Sequence, residues 1–190
     1  LNEPAITEKY EPRPHQREAI DDAVAHLEEN ERGQLLMACG TGKTLTGLWI
    51  REEMKAQRTV VFVPSIALLR QTWSGWNQHA NEPFYSIAIC SDEKATSRGK
   101  DKLVTSSSAA GLPPTTGPDA IAKALDVPGS VVVFSTYQSS EVLETALKKA
   151  GHPFDLMVAD EAHNTTSAGL TDFTRPLYDN HIPAKRRLFC

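Results

Sequence analysis

Two hydrophobic periods alternate along the chain, and their alternation predicts its architecture. Over 15–30, Ile20, Val24 and Leu27 recur at helical spacing with Ala19 and Ala23 beside them. This predicts an amphipathic helix, entered through the stiff Pro12-Arg13-Pro14 and closed by Gly33. Residues 34–38 then read as a first strand, which feeds a small-residue loop and a helix running to about residue 57. Val60-Val61-Phe62-Val63 is a continuous apolar run of the kind buried on both faces in a parallel sheet, and Pro64 ends it. Leu69, Trp73 and Trp76 mark a helix over 66–79, and 85–89 reads as a third strand. A helix over 119–125, a buried-type strand at Val131-Val132-Val133-Phe134, a helix over 141–150 and a strand over 154–159 follow. For the helix over 141–150, Ser140 is the expected N-cap, Glu141 lies in its first turn, Lys148 and Lys149 in its last, and Gly151 just beyond. A short helix around 173–178 and a strand just beginning at 187–190 complete the pattern. The alternation predicts an α/β fold with a mostly parallel sheet and helices on both faces.

One stretch breaks the pattern. From 91 to 118 the chain reads SDEKATSRGKDKLVTSSSAAGLPPTTGP, and residues 106–110 within it offer almost no apolar area. Ordering costs about 1–2 kcal/mol per residue, so 92–118 is expected to be a mobile loop inside a single domain spanning 1–190. A length of 190 residues with 40% hydrophobic positions fits one well-buried core. The formal charge of −4 provides no global basic field, so any contact with nucleic acid must come from a local patch. Cys39, Cys90 and Cys190 are widely spaced and lack metal-ligand patterning, which argues for a reducing compartment and against a disulfide framework or zinc site. No apolar run approaches the roughly 20 residues of a membrane span. The segment up to Pro14 is polar and proline-rich rather than signal-like, so a cytoplasmic protein with no membrane partner is expected.

The candidate chemistry begins at residues 35–45, LLMACGTGKTL, where an apolar run breaks into a glycine loop and delivers a lysine and a threonine onto a new helix. Such a loop cradles phosphates. Gly40 and Gly42 let the backbone around Thr41 turn tightly and aim its N–H groups inward, Lys43 supplies a point charge, and Thr44 offers a hydroxyl ligand for Mg²⁺. The helix N-terminus adds the positive end of its dipole. The first glycine of the full G-x-x-x-x-G-K-[ST] pattern is replaced by Met37. Far along the chain, a buried-type strand ends in Asp160-Glu161-Ala162-His163. In a parallel sheet the carboxyl ends of strands share one edge, so these acids can converge on the loop. Asp160 would then hold Mg²⁺, and Glu161 would orient and polarise an attacking water.

MACGTGKT at 37–44 together with DEAH at 160–163 resembles motifs I and II of the superfamily 2 helicases and translocases. Arg13-Pro14-His15-Gln16 resembles that family's adenine-reading segment, in which Gln16 would hydrogen-bond the base of ATP. VPSIALLRQT at 63–72 resembles motif Ia, and FSTYQS from Phe134 resembles the later segment that touches the nucleic-acid backbone. Together these motifs cover nearly the whole chain. The resemblance implies a RecA-like first motor domain using ATP and Mg²⁺, with His163 as a coupling residue and with Ser65, Arg70, Gln71 and Thr136 as candidate nucleic-acid contacts. The style is nearer to the helicase subunits of restriction enzymes than to the DEAD-box RNA proteins, whose motif Ia has an arginine where this chain has Ile66. DNA is therefore the expected partner over RNA. The family's next element, a strand ending in Ser/Thr-Ala-Thr, would follow Cys190, and a second RecA-like domain in cis would supply arginine fingers. By this resemblance the chain is a fragment of a larger protein, of low activity by itself.

Other features have plainer readings. Trp49, Trp73 and Trp76 lie among leucines at helical spacing, as core residues do, and Lys185-Arg186-Arg187 reads as a solvated turn. Two alternatives to a motor are a non-motor P-loop enzyme, such as a small-molecule kinase, and a nucleotide-dependent binding module without turnover. Motif Ia and FSTYQS weigh against the first, and the intact Lys43, Thr44, Asp160 and Glu161 against the second.

Overall fold

The computed structural model describes residues 9–38, 40–90, 102–104, 117–162 and 171–190. They form one seven-stranded sheet: β1 (Arg32–Gln34), β2 (Arg58–Val63), β3 (Tyr85–Cys90), β4 (Lys102–Val104), β5 (Val131–Thr136), β6 (Phe154–Ala159) and β7 (Ala184–Phe189). The order across the sheet is β1-β7-β6-β2-β5-β3-β4. All neighbouring pairs are parallel except β3 with the short β4. Among the described residues five helices cover the sheet: α1 (Pro14–Glu29), which precedes β1, and α2 (Lys43–Glu53), α3 (Ile66–His79), α4 (Pro118–Leu125) and α5 (Ser140–Ala150) between later strands. This is the expected α/β architecture.

Alternation along the strands divides the core in two. Val60, Phe62, Val131, Val133 and Met157 pack under α4 and α5, with Ile121, Leu125, Leu143 and Leu147. Val61, Val63, Val132, Phe134 and Val158 face the other way, against Ile20, Leu48, Ile50, Leu69 and Trp76 from α1, α2 and α3. Because both faces are covered, the middle strands read as unbroken apolar runs. The tryptophans are core residues as expected: Trp49 and Trp76 are buried, and the half-buried Trp73 donates from Nε1 to Ser86 Oγ at 3.1 Å.

Several expected boundaries move, each for a local reason. β1 is three residues long and lies ahead of the apolar run, where Arg32 to Gln34 pair with Arg187 to Phe189 of β7. Leu35 N–H still donates to Phe189 O at 2.8 Å, but Leu36 is 88% exposed. Gly33 is a strand residue packed on His26 and Leu27, not a helix cap; α1 ends instead at Asn30, whose backbone is extended. α2 stops at Glu53, short of 57. Ser140 does not cap α5: its hydroxyl donates to Asp172 O at 2.9 Å, and a 3₁₀ turn, Tyr137–Ser139, leads into the helix. Gly151 closes α5 with φ +73°, as expected. Around 173–178 the expected short helix is a 3₁₀ turn, Arg175–Leu177. The loop expected over 92–118 falls largely outside the described residues; inside it, β4 pairs with β3, and α4 begins at Pro118.

The main correction concerns the basic run. Lys185, Arg186 and Arg187 are not a solvated turn but part of β7, a strand of six residues inserted between β1 and β6. Lys185 pairs with Asp155 at 2.8 Å, and Arg186 donates to the carbonyls of Leu27 and Glu28 at the end of α1. Arg187 is 0% exposed and wholly committed. Its guanidinium donates to Asp179 Oδ1 at 2.5 Å, Ile182 O at 2.8 Å, Ala184 O at 2.9 Å and Pro176 O at 3.3 Å, which ties the 176–184 turn to the strand. Removing a fully bonded buried charge strands its acceptors, so Arg187→Leu is expected to cost about 3 kcal/mol. Urea unfolding measures this, and a change within about 0.5 kcal/mol, the usual size of a surface effect, would contradict it.

The same turn is tied to α5 through Glu144. It meets Arg175 and Lys148 at 2.6 Å each and His181 at 3.0 Å. Burial alone would raise the pKa of this carboxyl, but hydrogen bonds from Lys148, His181 and Arg175 outweigh burial and hold it at about 2. A depressed carboxylate contributes stability that is present above its unfolded pKa and lost as pH falls through the folded one. Between pH 5 and pH 2 the native chain should therefore lose stability that Glu144→Gln no longer has to lose. Equal acid-unfolding slopes for the two proteins would contradict this.

Candidate nucleotide site

Parallel strands bring the ends of β1, β2, β5, β6 and β7 to one edge of the sheet, and both sequence motifs sit there. After β1 the loop turns through Gly40 (φ +78°) and Gly42 (φ +92°) into α2. Gly42 is the N-cap of α2, and its carbonyl accepts from Leu45 and Thr46 N–H at 3.1 Å each. A side chain at Gly42 would be strained in φ and would overlap the amide nitrogen of Gln16, whereas the space over Gly40 is open. Gln16 is 5% exposed and reaches the loop itself. Its Nε2 donates to Thr41 O at 3.2 Å and Gly42 O at 3.4 Å, and its Oε1 accepts from Arg13 N–H at 2.9 Å. Thr41 folds back onto Ala38 O, with Oγ1 at 2.7 Å. The first turn of α2 is pinned from behind: Trp76 Nε1 donates to Thr44 O at 2.8 Å, and its ring stands edge-on to Phe134.

The acidic pair follows β6. Asp160 N–H extends the ladder to Phe62 O at 2.9 Å, and Ala162 N–H donates to Cys190 O at 3.0 Å, so the turn is fastened on both sides by neighbouring strands. Glu161 has φ +53°, a left-handed conformation that costs a non-glycine residue roughly 1–2 kcal/mol. Its N–H donates to Asp160 Oδ1 at 3.0 Å, and Tyr137 Oη donates to Asp160 O at 2.8 Å. Burial pushes the Asp160 carboxyl above the usual aspartate range, the charge of Glu161 adds to this, and the ammonium of Lys43 opposes it. The two motifs, distant in sequence, thus feel each other's charge. Between Lys43, Thr44, Asp160 and Cys190 lies a hollow of about 10 Å³, the room one water needs. Burial, and then the charge of Asp160, push the Cys190 thiol up to about 12, so it is neutral and unreactive at neutral pH.

The other expected site residues are more scattered. Ser65 is spent on helix capping, its Oγ accepting from Leu68 N–H at 3.3 Å. Arg70 and Gln71 are exposed on α3. Thr136 is 2% exposed and shares a hydrogen bond with Ser139 at 3.1 Å, so its hydroxyl is turned inward. His163 lies outside the described residues. Sequence reasoning missed Tyr137 and Cys190 as neighbours of Asp160. The aromatic in FSTYQS was a signal available for Tyr137, but nothing in the sequence pointed to Cys190.

Comparison with known proteins bears on this site. Residues 9–188 match the family described as type III restriction enzyme, res subunit. A curated relative, "Probable helicase A859L" of African swine fever virus (isolate Tick/South Africa/Pretoriuskop Pr4/1996), is 30% identical over 153 residues, covering 80% of this chain and 16% of the relative. Among solved structures, the ATP-dependent Type ISP restriction-modification enzyme LlaBIII bound to DNA matches with TM-score 0.76 and 34% identity, over 96% of this chain and 13% of that one. A nuclease-deletion mutant of the Type ISP restriction-modification enzyme LlaGI, in complex with a DNA substrate mimic, matches with TM-score 0.75 and 33% identity, over 95% of this chain and 17% of that one. The chain therefore spans about a sixth of the length of the curated relative.

Proposed function

This chain belongs to the family of the type III restriction enzyme res subunit, and on that footing we propose that it is the nucleotide-hydrolysing first half of a motor that moves along duplex DNA as part of a longer protein. It is a RecA-like motor domain of the superfamily 2 helicase kind, related to those of restriction enzymes rather than to a small-molecule kinase. The convergence of the 40–44 loop with Asp160 and Glu161 at one sheet edge carries the proposal. The loop's N–H groups and Lys43 hold the phosphates of ATP, and Gln16 braces the loop from the adenine side. Thr44 and Asp160 are the residues that would hold Mg²⁺, whose charge when bound neutralises the phosphate oxygens. Among the described residues no three His, Cys, Asp or Glu side chains gather into a metal-binding group. Glu161 orients the attacking water and accepts its proton at the carboxylate.

The relative bound to DNA and the relative in complex with a DNA substrate mimic support DNA as the track. Exposed Arg70 and Gln71 on α3 are the contacts we assign to its backbone, whereas the hydroxyls of Ser65 and Thr136 are held within the chain. A second RecA-like domain in cis completes the site with arginine fingers. Among the described residues no helix is long and apolar enough to cross a membrane, and a cytoplasmic location belongs to the same proposal. The test is steady-state ATPase of the longer protein and of residues 1–190, each with duplex DNA, single-stranded DNA and RNA. Duplex DNA is expected to stimulate the longer protein tenfold or more. Residues 1–190 should stay slow, because an arginine finger contributes on the order of 10³–10⁵ in rate. A longer protein whose ATPase ignores all three nucleic acids would overturn the proposal.

A further inference from the structure

Tyr137 opens the 3₁₀ turn after β5, and its ring is closed in: it is 0% exposed and stacked between Phe62 of β2 at 5.6 Å and Phe173 at 5.3 Å. A phenylalanine would pack equally well there, so the hydroxyl calls for its own explanation. It donates to the carbonyl of Asp160 at 2.8 Å, and the N–H of the same peptide group, that of Glu161, donates to Asp160 Oδ1 at 3.0 Å. Both ends of one peptide plane are therefore held. This plane sets the direction of Glu161, because a half-turn of it changes ψ of Asp160 and φ of Glu161 together. With φ at +53°, Glu161 sits in a conformation that such a half-turn would relieve. Burial keeps the phenol protonated well above its ordinary value, so it remains a donor at any working pH.

We propose that Tyr137 is a positioning residue for Glu161: its hydroxyl, carried on the FSTYQS segment, locks the Asp160–Glu161 peptide in the orientation that aims the Glu161 carboxylate. The inference rests on the role given to Glu161 above. It also joins the FSTYQS segment to the turn that carries Glu161 through one hydroxyl.

Tyr137→Phe in the full-length protein removes that hydroxyl and keeps both ring stacks. Two readouts are needed: kcat with the nucleotide Kd, and the exchange rate of the Glu161 amide in the free protein. The expected result is a kcat at least tenfold lower, with and without duplex DNA, a Kd within threefold of wild type, and Glu161 amide exchange at least tenfold faster while core amides are unchanged. A kcat within twofold of wild type, unchanged exchange at Glu161, or a Kd weakened in step with kcat would each overturn it. If wild type itself proves to lack ATPase activity, the function proposed above fails, and the exchange measurement still decides whether the hydroxyl locks the peptide.

Discussion

Glu161→Gln in the full-length protein should bind Mg²⁺-nucleotide within threefold of wild type and lower kcat by roughly 10²–10⁴, the span that a positioned general base contributes. The two carboxamide atoms occupy the space of the carboxylate, so the turn after β6 can keep its fastening to Phe62 and Cys190. What is lost is the charge that accepts a proton from water. The substitution also removes one of the two causes that raise the Asp160 pKa, which should favour its ionised form and work against any loss of cation affinity. Binding by titration calorimetry and turnover by phosphate release separate the two effects. If Glu161→Gln kept ATPase activity within fivefold of wild type, the general base would have to be sought elsewhere on this edge.

Lys43→Ala should do the reverse at the first step and weaken nucleotide binding by about 1.5–3 kcal/mol, the value of a charge-assisted contact, or roughly 10- to 100-fold in Kd. Lys43 is the first residue of α2 and half-buried, and its charge acts on Asp160 across the small hollow. Removing it should push the Asp160 pKa further above the usual range, because only the hydrogen bond from the Glu161 N–H is then left to oppose burial and the charge of Glu161. Mg²⁺-dependent binding in the variant should consequently fail at a higher pH than in wild type as the solution is acidified. A Kd changed by less than twofold would mean that the phosphates do not sit over Lys43.

Which parts of this were legible in the sequence depended on whether the cause was local. α3 and β6 lie where the sequence placed them, because Pro64, the helical spacing of Leu69, Trp73 and Trp76, and a two-sided apolar run are local instructions. The loop glycines and the acidic pair were legible because their chemistry demands those residue types at those spacings. β7 was misread because its burial is supplied from outside: a strand with Lys185, Arg186 and Arg187 in it becomes interior only when Asp155, the end of α1 and the 176–184 turn provide acceptors. β1 was misplaced for the same reason, since the strand it pairs with, β7, is remote in sequence. The contacts that tune the site, Trp76 to Thr44, Tyr137 to Asp160 and Cys190 to Ala162, join residues far apart in sequence, and no periodicity announces them.

The central claim is that the phosphates of a nucleotide rest on the 40–44 loop. Backbone amide exchange with and without Mg²⁺ and a non-hydrolysable ATP analogue tests it most directly. A competing hollow of about 340 Å³ between α1 and β1, lined by Asp22, His26 and Gln34, provides the contrast. The account predicts slowed exchange at the amides of Gly40, Thr41, Gly42, Lys43 and Thr44, with little change at Gln34 and Leu36. Protection at Gln34 and Leu36 without protection across the loop would contradict it.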